Sequence, residues 1–122
     1  MGNPSSESWE IEFYLTESGR NPVREALKEL PKQERVEIGQ TLRLVQEEGP
    51  EIGRPYTEPV TREIGAVRVR IGRVRWRIFF FCRVGKRLVL VHMLAKKTEA
   101  IPRHDIELSE RRRKEWLRRK GS

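Results

Sequence analysis

The sequence predicts an α+β fold: a small, mostly antiparallel sheet in the order β-α-α-β-β-β, with a helix at the C-terminus. Three observations predict it. Residues 62–96 alternate charged and apolar side chains in three runs parted by short turns at Gly72 and Gly85, which is the pattern of strands with one face in a core. Residues 22–48 carry apolar residues at helical spacing, interrupted at Pro31, as two amphipathic helices do. A β-rich stretch, Trp9–Leu15, precedes those helices, so it reaches the sheet only by a helical crossover.

Each element has its own local reason. Met1–Ser8 is small and polar and is expected to be a flexible tail, leaving residues 9–122 as a single domain. Asn21 and Pro22 suit a helix cap and first turn, because proline lacks only an N–H that has no partner there. Val23, Ala26, Leu27 and Leu30 then form a stripe until Pro31. A second helix, about Lys32 to Glu48, carries Ile38, Leu42 and Val45 on one face and ends at Gly49-Pro50. Glu51–Pro59, with Gly53, Pro55 and Pro59, reads as a loop or weak edge strand. Strands are expected near 62–71, 74–84 and 87–96, the two turns making them an antiparallel meander. The last helix, about Arg103 to Lys120, has Glu107/Arg111, Glu110/Lys114 and Glu115/Arg119 in the favourable i,i+4 order. Its apolar residues Ile106, Leu108, Trp116 and Leu117 make a thin stripe, so loose docking is expected. Two helices should cover one face of the sheet.

Charge separates the chain into halves. Residues 1–60 hold 7 Lys+Arg against 12 Asp+Glu, and residues 61–122 hold 19 against 6, giving −5 and +13 within the total of +8. Any anion-binding surface therefore belongs to the second half. The single cysteine, Cys82, excludes an intramolecular disulfide and a cysteine-based zinc site. The N-terminus lacks a signal-peptide apolar run, and no segment is long and apolar enough for a membrane span. Cytoplasmic localisation and no membrane partner are the expectations.

The stripe VRVRIGRVRWRI places Arg68, Arg70, Arg73, Arg75 and Arg77 among Val67, Val69, Ile71, Val74, Trp76 and Ile78, with no acidic residue between them. A solvated face is the plain reading. The mutual repulsion of these arginines favours a polyanion instead, since guanidinium grips phosphate through a planar fork. Nucleic acid is the leading candidate. Trp76 and Phe80 share the apolar phase and read as core, whereas Phe79 and Phe81 fall in phase with the arginines, to be packed under a helix or exposed for stacking. Cys82 reads as a buried thiol. His92 lies in phase with Leu90 and Leu94 and reads as a core side chain or a proton-transfer group. Arg111–Lys114 is a wet helix face or a grip on nucleic acid. Candidate nucleic-acid-binding residues are Arg70, Arg73, Arg75, Arg103, Arg112 and Arg113.

The order of elements, the WRIFFF strand, the LVHMLAKKT strand end and the following Ile101-Pro102 with its helix resemble the RelE/ParE superfamily of bacterial toxins. Within it they resemble the HigB-type, phage-related branch of type II toxin–antitoxin systems. That branch shows an arginine after a Leu-x-Glu-Leu-like stretch, a Tyr-Arg pair eight residues on, then a strand ending in His followed by Lys-Lys-Thr and Pro. Arg68, Trp76-Arg77, His92, Lys96, Lys97, Thr98 and Pro102 fill these positions. The likeness spans about residues 9 to 118. The chain departs from it at Ala66, where the branch has its acid, at Trp76 in place of tyrosine, and in the extra arginines 70, 73 and 75.

The resemblance implies a RelE-like fold and a toxin that cuts mRNA, commonly in the ribosome, and is neutralised by a small helix-turn-helix antitoxin. RNA cleavage without a metal needs a base for the ribose 2′-hydroxyl, cations on the phosphorane oxygens and an acid for the leaving 5′-oxygen. The chain offers no carboxylate pair and no Cys/His cluster, so neither metal nor cofactor is expected. Arg77 is assigned as the main phosphate clamp and Arg68 as a second clamp. Lys96 or Lys97 is assigned as the base, with His92 as base or acid. The alternatives are a ParE-like gyrase-inhibiting toxin of the same fold and a non-enzymatic, basic nucleic-acid-binding phage regulator.

Overall fold

Residues 8–122 are described by a computed structural model, so the tail expected over residues 1–8 lies outside the described residues except for Ser8. The alternating segments form strands β1 (Glu10–Phe13), β2 (Thr57–Pro59), β3 (Gly65–Ile71), β4 (Val74–Arg83) and β5 (Arg87–Lys96). The periodic segments form helices α1 (Pro22–Lys28), α2 (Lys32–Glu48) and α3 (Arg103–Lys120). The caps act as expected: the Asn21 side chain accepts from the Arg24 N–H at the start of α1, and Gly49 ends α2 at φ +94°, a conformation open to glycine.

The five strands form one sheet in the order β1-β5-β4-β3-β2. β1 pairs with β5 in parallel and all other pairs are antiparallel, as a helical crossover followed by a meander requires. The Pro-rich stretch does yield a strand, the three-residue edge β2, which covers only the first part of β3.

Two cores lie on opposite faces. On one face, Val23 of α1 and Ile38, Leu42 and Val45 of α2 pack against Val67, Val69, Ile78, Phe80, Leu88, Leu90 and Met93. On the other, Tyr14, Ile64, Ala66, Phe79, Phe81, Val89 and Val91 pack with Trp116 of α3. Phe79 and Phe81 thus lie in the second core, while Trp76 packs against the first. Each buried aromatic or aliphatic side chain of this kind contributes about 1.5–3 kcal/mol.

The loose docking expected of α3 is corrected. Its stripe is thin because polar and cationic side chains do the anchoring. The Trp116 indole N–H donates to Glu12 at 3.0 Å, the Tyr14 hydroxyl donates to Glu115 at 2.8 Å, and Arg112 donates to the Val91 carbonyl at 2.7 Å. Arg112 lies over the Tyr14 ring and Arg113 over Phe81, so arginine stems and rings replace a leucine stripe. Burial works to raise the Glu12 carboxyl, but the hydrogen bonds from Trp116 and Arg83 outweigh it and hold it below its ordinary value.

Candidate functional site

α3 covers only part of its face of the sheet. From under its edge outward, the strand register arranges the side chains in rows. Glu58, Ala66, Phe79 and His92 stand side by side across four strands. The next row on the same face is Arg68, Arg77 and Leu94, and the one after it is Arg70, Arg75 and Lys96. Alternate residues of a strand share a face, which is why the arginine stripe becomes two paired rows of cations.

The two rows differ in depth. Arg77 is only 3% exposed. Its Nε donates to Glu58 Oε2 at 2.8 Å, and another guanidinium nitrogen donates to the Trp76 carbonyl at 3.0 Å. Arg68, directly opposite, is 25% exposed and stands 3.5 Å from the other Glu58 oxygen. Its Nε is buried without a hydrogen-bond partner, and burial with the neighbouring Arg77 charge lowers its pKa. Arg54 approaches Glu58 at 3.6 Å. The arginines therefore do have an acid among them. Glu58 reaches the cluster from β2, beside Ala66, so the neighbouring strand supplies a carboxylate where residue 66 has none. Sequence reasoning missed Glu58 because it lies in the Gly/Pro-rich stretch, and only the β2–β3 pairing brings it to Arg77.

His92 is repositioned by a β-bulge. Phe79 pairs with His92 but Phe80 pairs with Leu90, leaving Val91 as the extra residue. The bulge breaks the phase with Leu90, so His92 shares the α3 face with Val91 and stacks on Phe79 at 5.5 Å between ring centres. Its Nε2 lies 2.6 Å from Asp105 Oδ1 in the first turn of α3, and His104 reaches the other carboxylate oxygen at 3.1 Å. Burial lowers the His92 pKa below 6.5 against the pull of Asp105. A neutral ring hydrogen-bonded to a carboxylate through Nε2–H keeps Nδ1 as its proton acceptor.

Lys96 lies in the third row, in register with Arg75, while Lys97 follows the end of β5 and is exposed. Arg70 and Arg73 are exposed, and Arg75 is 35% exposed, with Glu99 distant at 3.9 Å. Arg103 is an exposed partner of Glu107 at the start of α3. Arg112 and Arg113 stand apart from these rows: Arg112 is bonded to Val91, and Arg113 pairs with Glu63 at 3.3 Å. Both guanidiniums serve the docking of α3.

Cys82, expected to be buried, is exposed. It lies toward the end of β4 and lines a cleft of about 730 Å³ with Trp9, Glu51 and Phe80. Partial desolvation against the cleft wall, with the Glu51 charge, pushes its thiol up, which leaves it a poor nucleophile. That cleft carries Glu48, Glu51, Glu58 and Glu63 against Arg62, the wrong sign for a phosphate. Among the described residues, no helix is long and apolar enough to cross a membrane, and no three His, Cys, Asp or Glu side chains gather to hold a metal ion.

What the rows form is an uncovered cationic strip with recessed and exposed positions, flanked by a carboxylate-bound histidine. No curated protein matches the chain. Residues 25–114 match the family described as "Phage derived protein Gp49-like (DUF891)", a span from α1 into α3 that includes all three rows. The chain therefore belongs to the Gp49-like family of phage-derived proteins, a RelE/toxin-like family.

Proposed function

We propose that the protein is the toxin of a type II toxin–antitoxin pair and acts as a metal-independent mRNA endonuclease of the HigB kind on ribosome-bound message. The observation that carries this reading is the order of side chains on one face: His92, then Arg68 with Arg77, then Lys96. His92 and Lys96 lie one row to either side of the arginine pair, which suits an in-line displacement with its base and acid on opposite sides of phosphorus.

In this mechanism His92 Nδ1 takes the proton of the ribose 2′-hydroxyl as the 2′-oxygen bonds to phosphorus. The bond from phosphorus to the 5′-oxygen breaks, and Lys96, expected from the sequence as a base, instead donates a proton to that oxygen, because His92 held by Asp105 supplies the acceptor. The products are a 2′,3′-cyclic phosphate and a 5′-hydroxyl. Arg68 and Arg77 hold the non-bridging oxygens, where negative charge grows. Lys96 is preferred over Lys97 because of its place in register with Arg75. A toxin-like family implies a neutralising antitoxin in general; a helix-turn-helix protein with an acidic segment suits the cationic strip.

The test is inducible expression in a bacterial host, with growth scored and transcript 5′ ends mapped for wild type, Lys96→Met and Lys97→Met. Wild type and Lys97→Met should arrest growth with in-frame cuts, and Lys96→Met should lose about 10²–10⁴-fold in cleavage. Lysine variants are chosen because Arg77 is buried and its loss threatens the fold. Arrest with intact transcripts would replace the reading with gyrase inhibition. Growth without arrest would leave a nucleic-acid-binding regulator.

A further inference from the structure

The row formed by Arg70, Arg75 and Lys96 has more cationic capacity than protonating one leaving oxygen requires. It lies two residues along β3, β4 and β5 from the row of Arg68 and Arg77. Two residues of antiparallel strand span about 6.8 Å, close to the repeat of successive phosphates in an extended single strand. The rows are also graded in depth. Arg77 and Arg68 are recessed and tied to Glu58, whereas Arg70 is exposed with its Nε on the Gly72 carbonyl at 3.3 Å and Arg75 pairs loosely with the fully exposed Glu99 at 3.9 Å. Nothing in the catalytic scheme uses Arg70 or Arg75.

We propose that Arg70 and Arg75 form a second phosphate subsite, which binds the phosphate on the 3′ side of the one held by Arg68 and Arg77. The strand is then threaded 5′ to 3′ from His92 towards Lys96. The polarity rests on the endonuclease reading: Lys96 serves the leaving 5′-oxygen, and the nucleotide that owns that oxygen carries the next phosphate in the 3′ direction. The subsite makes the ligand a single strand with two neighbouring charges, held in one direction. Arg73, exposed in the β3–β4 turn, extends the same path.

Binding of an uncleavable ligand tests this without any chemistry. The probes are a 2′-O-methyl RNA trinucleotide without terminal phosphates and two versions of it, each with one linkage replaced by an uncharged methylphosphonate. They are titrated at low salt by NMR against wild type and Arg70→Gln/Arg75→Gln. Neutralising the 3′ linkage should weaken binding to wild type by about tenfold and leave binding to the double variant unchanged. Neutralising the 5′ linkage should weaken both proteins. The salt slope of the double variant should fall by about 0.7, the value of one lost phosphate contact on a single strand.

Equal losses in both proteins for the 3′ linkage would overturn the subsite. The reverse pattern, with the 5′ linkage sensitive only in wild type, would overturn the polarity. Absence of binding by wild type would overturn the proposal as a whole. The ligand substitutions leave the protein unaltered, so a folding defect in the variant cannot imitate the wild-type result. Failure of the endonuclease reading would appear separately, as a lack of cleavage by a protein that still binds both phosphates.

Discussion

Glu58 is the residue whose loss the structure allows to be valued. It is 11% exposed, and its two oxygens serve Arg77 at 2.8 Å and Arg68 at 3.5 Å. Arg54, 76% exposed, adds little at 3.6 Å, as surface pairs do. Glu58→Ala leaves the Arg77 guanidinium inside the protein with another guanidinium as its nearest charge. Breaking a buried pair from one side costs about 3–5 kcal/mol. The partial exposure of Arg68 puts this site at the lower end, about 3 kcal/mol, or roughly 12 °C in Tm at ~4 °C per kcal/mol for a domain of this size. Glu58→Gln keeps an oxygen for the Arg77 Nε–H and should cost about 1–2 kcal/mol. Urea denaturation of the two variants gives these values.

A second arm identifies what the carboxylate stands in for. If Glu58 occupies the position of a phosphate, sulfate should bind more tightly once it is gone. At ten times its Kd, sulfate should then restore about 1.4 kcal/mol to Glu58→Ala, with a smaller effect on wild type. A loss below about 1 kcal/mol in Glu58→Ala would show that Arg77 does not depend on this counter-ion. Equal stabilisation of both proteins by sulfate would show that Glu58 and the anion do not compete.

Two further outcomes are expected. The His92 pKa is held below 6.5 in the fold by burial, with Asp105 opposing and Arg112 and His104 adding to the effect. The unfolded chain therefore binds more protons just below that value, and stability should fall as pH drops from 6.5 towards the folded pKa and stay level above it. Urea melts across pH 5 to 8 should show this slope in wild type and a flatter profile in His92→Gln; identical profiles would count against it. At Gly65 a Cβ would stand 2.6 Å from the Phe80 ring, and that ring is part of the first core. Gly65→Ala should cost about 1–3 kcal/mol in the same assay, and an unchanged midpoint would mean that the ring yields freely.

Much of the architecture is legible in the sequence because it rests on near-neighbour rules. Alternation gives β3, β4 and β5, the apolar stripes and Pro31 give α1 and α2, and Gly49, Gly72 and Gly85 mark ends and turns. Alternation put Arg68, Arg70, Arg73, Arg75 and Arg77 in one stripe; four of them do share a face, because side chains alternate along a strand, while Arg73 falls in the β3–β4 turn. Other features depend on which segments meet. A three-residue edge strand carries Glu58 to Arg77, and no local pattern marks that partnership. An extra residue at Val91 turns His92 to the α3 face and towards Asp105, since a bulge shifts the side-chain phase by one. α3 is anchored by Trp116, Arg112 and Arg113 against rings, carbonyls and carboxylates, contacts without the period that an apolar stripe leaves in a sequence. The sequence by itself determined four of the five strands, the helices and the stripe of cations, because those follow from a residue and its near neighbours. Only the tertiary structure decided which cations are recessed, which carboxylate holds them and where the histidine points, because register and burial arise from pairings between distant segments.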